Sequence, residues 1–193
     1  DEDDDGPYRP ADIAVMYRTN AQSRAIEEAL LRFGIPYQIV GGVRFYQRRE
    51  VKDALAYLRI LRSDRDAVSF ERILNVPPRH IGERTLEALR AAAAEVEDRS
   101  YFEALVAGAA GQLPLAARTI GALAGFVDLV RRLRARVGIL ALPELLDEVL
   151  ERSGYRAMLA DGSEENAERW ANLLELRRVT ERYEDLAPSE ALD

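Results

Sequence analysis

Tyr17 and Arg18 stand side by side where a short apolar run, Ile13-Ala14-Val15-Met16-Tyr17, gives way to the polar stretch Thr19-Asn20-Ala21-Gln22-Ser23-Arg24. An aromatic ring beside a guanidinium can stack on a base and reach a phosphate. Ligands of α/β sheets bind at strand ends of this kind. A plainer role suits the same residues: Thr19, Asn20 or Ser23 can cap the helix that follows. A second set of cations, Arg44, Arg48, Arg49 and Lys52, makes a locally basic stretch. Of the 27 basic residues only Lys52 is lysine. The cations of this chain are therefore planar, forked donors suited to phosphate.

Other chemistry is absent from the sequence. There is no cysteine among the 193 residues, which removes disulfides, thiol nucleophiles and Cys-based metal sites. His80 is the single histidine, so multi-histidine metal sites are excluded. No Gly-Lys-Ser/Thr phosphate loop occurs, because Lys52 lies between Val51 and Asp53. Leu145-Leu146-Asp147-Glu148 looks like a strand ending in a magnesium-holding acidic pair, but the helical periodicity around it contradicts that reading. Gly41-Gly42 is too short for a dinucleotide fingerprint. No metal site and no self-sufficient active site emerge. The net charge of −7 argues against general coating of nucleic acid, with acids gathered at both ends of the chain. No apolar run has membrane-spanning length and no signal peptide opens the sequence, so the expected compartment is the cytoplasm, with no membrane partner.

The elements that must hold these residues follow from periodicity. Residues 1–10 read as a disordered acidic lead-in. Residues 13–17 read as a buried strand, Gln22 to Phe33 as a helix with Ala25, Ala29 or Leu30, and Phe33 on one face, and Tyr37 to Val40 as a second strand. Gly34 suits the helix C-terminus and Pro36 prevents its return. That is the size of a βαβ unit. The remainder reads as helical, with stripes at Val51, Leu55, Leu58, Leu61, at Phe70, Ile73, Leu74, and at Leu142, Leu145, Leu146, Val149, Leu150. Glu83 to Glu97 and the stretch around Ile120, Leu123, Val127 and Val130 are further helices. The last helix is capped by Ser163 and carries Trp170, Leu173, Leu174 and Tyr183. The Gly108–Pro114 region is the best internal boundary. The expected fold is mainly α with a small N-terminal βαβ element whose sheet is under-supported.

Tyr17-Arg18-Thr19-Asn20-Ala21-Gln22-Ser23-Arg24 followed by Glu27-Glu28-Ala29-Leu30 resembles motif IV of the UvrD/PcrA/Rep DNA helicases of superfamily one. The resemblance continues through Ile35-Pro36-Tyr37, the block from Gly41 to Arg59, and Asn75-Val76-Pro77-Pro78-Arg79-His80-Ile81-Gly82-Glu83-Arg84-Thr85-Leu86. These blocks run in family order with family spacing from Ile13 to Leu89, and a weaker match extends beyond.

The resemblance implies an incomplete RecA-like motor half followed by a helical insertion. Residues 11–110 would be the first part of the second motor domain and 111–193 the insertion, incomplete at its end. It implies ATP and Mg2+ in the intact parent protein, with neither bound by the fragment alone. Tyr17 would stack near the adenine and Arg18 would reach the γ-phosphate. Arg44, Arg48 and Lys52 would lie near phosphates of a single strand, and Asn75 would face the same strand. The loop Arg79, His80, Ile81, Gly82, Arg84 and Thr85 resembles the family's Gly-Ile-Gly turn, which can present amides to DNA phosphate; here His80 replaces the first glycine. The Arg131–Arg136 run either touches duplex phosphate or is a solvated face. The implied partners are single-stranded DNA, single-strand/duplex junctions, the remaining helicase domains and a regulatory repair or transcription protein. The leading expectation is a fragment of a 3′ to 5′ ATP-dependent helicase, inactive alone. The alternatives are a non-enzymatic helical interaction module and the helicase-like arm of a recombination nuclease.

Overall fold

The computed structural model describes residues 8–40, 42–95 and 100–183. The chain folds around α2 (Arg49–Arg62), in which Val51, Ala54, Ala56, Tyr57, Leu58, Ile60 and Leu61 are all buried. Those positions fall on most sides of the cylinder, so α2 is enclosed rather than laid on a surface. Packed against it are α3 (Ala67–Leu74), α6 (Ala117–Arg134), α7 (Leu142–Arg152) and α9 (Glu164–Glu181). Between them run α4 (Glu83–Ala94), α5 (Tyr101–Ala109) and the short α8 (Tyr155–Leu159). Helix α1 (Ser23–Arg32) lies to the N-terminal side, and single 3-10 turns form at Pro10–Asp12, Asn20–Gln22 and Phe45–Gln47.

Local sequence explains the helix ends. Asp66 caps α3 by accepting from the Ser69 amide at 3.0 Å. Ser100 and Glu103 form a reciprocal capping box on α5. Ser163 caps α9, accepting from the Asn166 amide at 3.2 Å. Gly34, at φ +66, ends α1 in a Schellman arrangement, with its amide on Leu31 O and that of Ile35 on Leu30 O.

The core is seeded by aromatics. Phe70 is fully buried, stacked on Tyr101 at 5.8 Å and Phe102 at 5.9 Å, with Phe126 edge-on at 6.5 Å. This cluster ties α3, α5 and α6 together, and one continuous apolar core runs from Phe45 to Leu176. It crosses residue 110 without a break. Gly108 is a packing residue of α5: a Cβ there would lie 2.9 Å from Leu123 Cδ1, so its bareness lets α5 and α6 meet closely.

The expected βαβ element is not seen among the described residues. Residues 13–17 and 37–39 have no regular structure, Val40 is a bend, and among the described residues the single bridge joins Val137 to Leu140. A strand needs a neighbour for its amides and carbonyls, and the described residues offer none. Ile13, Val15, Met16 and Val40 are accordingly exposed rather than buried. The apolar face expected of α1 also points outward, with Phe33 at 75% exposure, while its buried residues are Ser23, Arg24 and Glu27. The expected stripe of α9 is incomplete, because Leu174 and Tyr183 are exposed. The helical reading of Leu145–Glu148 holds: all four residues lie in α7. Most of the lead-in and the last ten residues lie outside the described residues.

Truncating the centre of the aromatic cluster, Phe70→Ala, should destabilise the fold by about 3–5 kcal/mol. Urea unfolding followed by circular dichroism measures this directly.

Candidate functional site

The Tyr17–Arg18 turn is held from both sides. The amides of Arg18 and Thr19 both donate to Gln22 Oε1, at 3.0 and 3.1 Å. One residue further on, Asn20 O accepts from Arg48 Nη1 at 2.7 Å. The Arg18 side chain is exposed and has no partner among the described residues. Tyr17 is half-buried. Beside it the backbone at Gly42 has no room to spare: a Cβ there would meet Ile39 Cγ2 at 3.2 Å and Tyr17 Oη at 4.0 Å. A fixed backbone with a free guanidinium is the geometry of a cation offered to a ligand.

Arg48, grouped by the sequence with the phosphate contacts, is placed elsewhere. It is 8% exposed, and its three nitrogens donate to Asn20 O, Asn172 Oδ1, Ser23 Oγ and Val43 O. Burial lowers its pKa and outweighs the field of Glu27 and Glu50. Around it stands a polar seam. Asn172 Nδ2 donates to Glu50 Oε1 at 2.7 Å, Asn20 Nδ2 to Glu168 Oε2 at 3.2 Å, and Arg24 Nε to Glu175 Oε1 at 2.6 Å. Buried Glu27 accepts from Ser23 Oγ, Tyr37 Oη and the Phe45 amide. Burial opposes the charge on Arg24, but Glu28 and Glu175 outweigh it and raise its pKa.

The second group of predicted residues lies along α2 and the loop before α4. Arg44 is exposed, with its guanidinium 5.4 Å from the Tyr37 ring centre. Lys52 is partly exposed on α2 and has no side-chain partner among the described residues. Asn75 is exposed, yet its Oδ1 accepts from the amides of Arg79 and Ile81 at 2.6 and 3.3 Å, which closes the loop. The Val76–Pro77 bond is cis.

Arg79 is turned inward. It donates to Ile73 O, Leu74 O, Pro77 O, Ser153 O and Tyr57 Oη, and sits over the Phe126 ring. It therefore closes the C-terminus of α3 rather than offering a free charge. Ile81 and Thr85 are buried anchors. The outward members are His80, Gly82 and Arg84. His80 adopts φ +60, the left-handed conformation a glycine would take without strain. Gly82 is the N-cap of α4 and supplies no side-chain cap, so the Glu83 and Arg84 amides that open the helix have no capping side chain, while the Thr85 amide donates to Gly82 O.

The Arg131–Arg136 run is largely satisfied internally. Arg132 pairs with Asp128, Arg134 with Asp64 and Ile60 O, and Arg136 with Glu148. Trp170 packs on the core under Arg156. Among the described residues no group of metal-binding side chains gathers, and no helix is long and apolar enough to cross a membrane.

Sequence reasoning missed the seam formed by Gln22, Ser23, Arg24, Glu27, Glu50, Asn172 and Glu175. A signal was present: Ser23 and Glu27 share one helix face at i, i+4, and Asn172 interrupts an apolar stretch. The bonds that close the seam span long separations, 122 residues between Glu50 and Asn172 and 151 between Arg24 and Glu175.

Two outcomes follow from this geometry. His80→Gly should leave the loop intact and gain up to about 1 kcal/mol, since it removes a left-handed strain of about 1–2 kcal/mol at some cost in unfolded-chain entropy. His80→Val should lose stability, both read from thermal unfolding. Glu28 has its carboxyl pKa held low: burial opposes this, but Arg24, Tyr46 and Arg182 outweigh it. A depressed carboxylate stabilises above its unfolded pKa, and that contribution is lost as pH falls through the folded value. The docking of α1 should therefore loosen only in acid, below about pH 4.3, as followed by the Arg24 Nε–H resonance.

Known proteins share this sequence. "ATP-dependent DNA helicase UvrD1" of Mycobacterium tuberculosis is 49% identical over 174 residues, covering 89% of this chain and 22% of that protein. "ATP-dependent DNA helicase PcrA" of Bacillus subtilis is 40% identical over 188 residues, covering 97% and 25% respectively. The Staphylococcus aureus PcrA is 39% identical over 180 residues, covering 93% and 24%. The chain thus spans a quarter or less of the length of these relatives. Residues 6–105, which hold the Tyr17–Arg18 turn, the polar seam's N-terminal side and the whole loop before α4, match the UvrD-like helicase C-terminal domain. That is just over half of the sequence, and the chain belongs to the UvrD-like helicase C-terminal domain family.

Proposed function

We propose that this chain works as part of an ATP-dependent DNA helicase that moves 3′ to 5′ on single strands, supplying one wall of the ATP cleft and a DNA-facing surface. The observation that carries the reading is the exposed, unpartnered Arg18 on a turn fixed by Gln22 and Arg48. In the whole protein Tyr17 lies near the adenine and Arg18 reaches the γ-phosphate. There its forked charge offsets the negative charge that develops during phosphoryl transfer. ATP with Mg2+ would bring the transferable phosphoryl group, and in this chain Tyr17 and Arg18 are the residues that would meet it.

The remaining helicase domains also account for the uncovered apolar side chains at Ile13, Val15, Met16, Phe33 and Val40. On the RecA-like reading, the segments at 13–17 and 37–40 pair as strands only with those neighbours. Arg44, Lys52 and Asn75 face the single strand. His80, the Gly82–Arg84 amides and the Arg84 side chain face duplex phosphate. Arg79, Ile81 and Thr85 hold that loop in shape.

Two measurements test this. Fluorescence anisotropy of a single-strand/duplex junction should show binding that weakens at least tenfold between about 50 and 200 mM salt. Arg84→Ala should weaken it further and reduce the salt slope by about 1. Absence of binding at low salt would put the protein-docking module ahead. In the intact helicase, Arg18→Ala should lower kcat for ATP hydrolysis by about 10³-fold, and an unchanged kcat would remove Arg18 from the cleft.

A further inference from the structure

The buried guanidinium of Arg48 has no carboxylate within ion-pair distance among the described residues, and its acceptors are all uncharged. Taking a charge out of water without a counter-ion beside it is unfavourable, and a packed apolar side chain would fill the space at lower cost. What an arginine supplies instead is direction. Its planar fork reaches four acceptors at fixed angles, and these belong to separate segments. Asn20 O, at 2.7 Å, ends the turn that carries Arg18. Ser23 Oγ, at 2.7 Å, opens α1. Val43 O, at 3.3 Å, lies in the extended segment next to Tyr17. Asn172 Oδ1, at 2.8 Å, stands on α9.

The backbone around Thr19 is clamped as a result. Gln22 takes the amides of residues 18 and 19, and Arg48 takes the carbonyl of residue 20. Asn172 fixes the clamp from the other side, accepting from Arg48 at Oδ1 and donating from Nδ2 to buried Glu50. A second strut, Asn20 Nδ2 to Glu168 Oε2 at 3.2 Å, joins the same turn to the same helix.

We propose that Arg48 is a positioning residue for Arg18, orienting the Arg18 turn against α9 through Asn20, Ser23 and Asn172. The proposal rests on the reading that Arg18 meets the γ-phosphate. It adds that the placement of this cation is set by α9, a helix about 150 residues away in sequence. Any displacement of α9 is thereby transmitted to the cleft through two hydrogen bonds to a single turn. Misplacement of a transition-state cation by about an ångström reduces turnover by on the order of 10²-fold.

The test uses the intact helicase with Arg48→Lys, Asn172→Ala and Arg18→Ala, singly and in pairs. It reads kcat and KM for single-strand-stimulated ATP hydrolysis, single-strand affinity and the unfolding midpoint. Lysine keeps the charge but offers one nitrogen to four acceptors. Arg48→Lys is expected to lower kcat on the order of 10²-fold, with single-strand affinity unchanged. Asn172→Ala should lower it less, in the same direction. In the Arg18→Ala background neither change should alter kcat by more than about twofold, because residues acting as a unit are non-additive.

Equal losses of kcat with and without Arg18 would overturn the positioning role and leave a purely structural one. So would an unchanged kcat in Arg48→Lys while Arg18→Ala is impaired. If instead Arg18→Ala itself is fully active, the cleft reading falls first and carries this proposal with it. Should Arg48→Lys fail to fold, the Asn172→Ala pair with Arg18→Ala decides by the same comparison.

Discussion

One buried guanidinium, that of Arg48, joins four segments of this chain, three on its N-terminal side and one on α9. Arg48 immediately precedes α2, and through its four acceptors it touches the turn after Arg18, the start of α1, the segment before Phe45 and the middle of α9. Remove it and the described N-terminal residues keep a few carboxylate contacts but lose their common anchor. The helical body does not depend on it in the same way. There the apolar core closes around α2, and Asp53 forms a second buried polar node that joins Arg72 at 2.8 Å and Tyr155 Oη at 2.9 Å. Burial and the Asp53 carboxylate together push the Tyr155 hydroxyl pKa up, so it remains a donor throughout the physiological range.

α2 links the two candidate surfaces. Arg48 sits at its N-terminus, and Tyr57, about two and a half turns along, receives Arg79 and holds Val76 O, which sets the loop before α4. The Tyr17–Arg18 turn and the loop before α4 are therefore tied to the same helix by two arginines, Arg48 and Arg79, whose donors are taken up by neighbouring acceptors. Two exposed cations are neighbours of these anchors: Arg18 beside the Arg48 clamp, and Arg84 beyond the Arg79 clamp. Arginine serves both purposes in this chain, and burial separates them.

Much of the helical body could be read from the amino-acid order. The stripe Leu142, Leu145, Leu146, Val149 and Leu150 is buried as its spacing requires, and Gly34 and Ser163 end and begin helices where their chemistry suits. The identity of the motif around Arg18 was legible because its residues are contiguous. The inward turn of Arg48 and Arg79 was not, because basic residues in a sequence look alike whether they face solvent or a carbonyl. The strands read from the sequence at 13–17 and 37–40 are not seen, because pairing is a property of neighbours and the described residues offer none to these segments. Gly108, within the Gly108–Pro114 region read as a boundary because glycine so often punctuates, is also a point of contact between α5 and α6.

The polar docking face of α1 has a consequence for how this chain can move. Ser23, Arg24 and Glu27 meet the helical body, while Phe33 and Leu31 look away from it. A seam of leucines holds by exclusion of water and tolerates sliding, because apolar attraction has little direction. A seam of hydrogen bonds and ion pairs is the reverse. It admits one alignment, yet each bond can be exchanged for water at a small net loss. The junction between the Arg18 segment and α9 is thus of the reversible, single-register kind: able to part, and able to return to the same place.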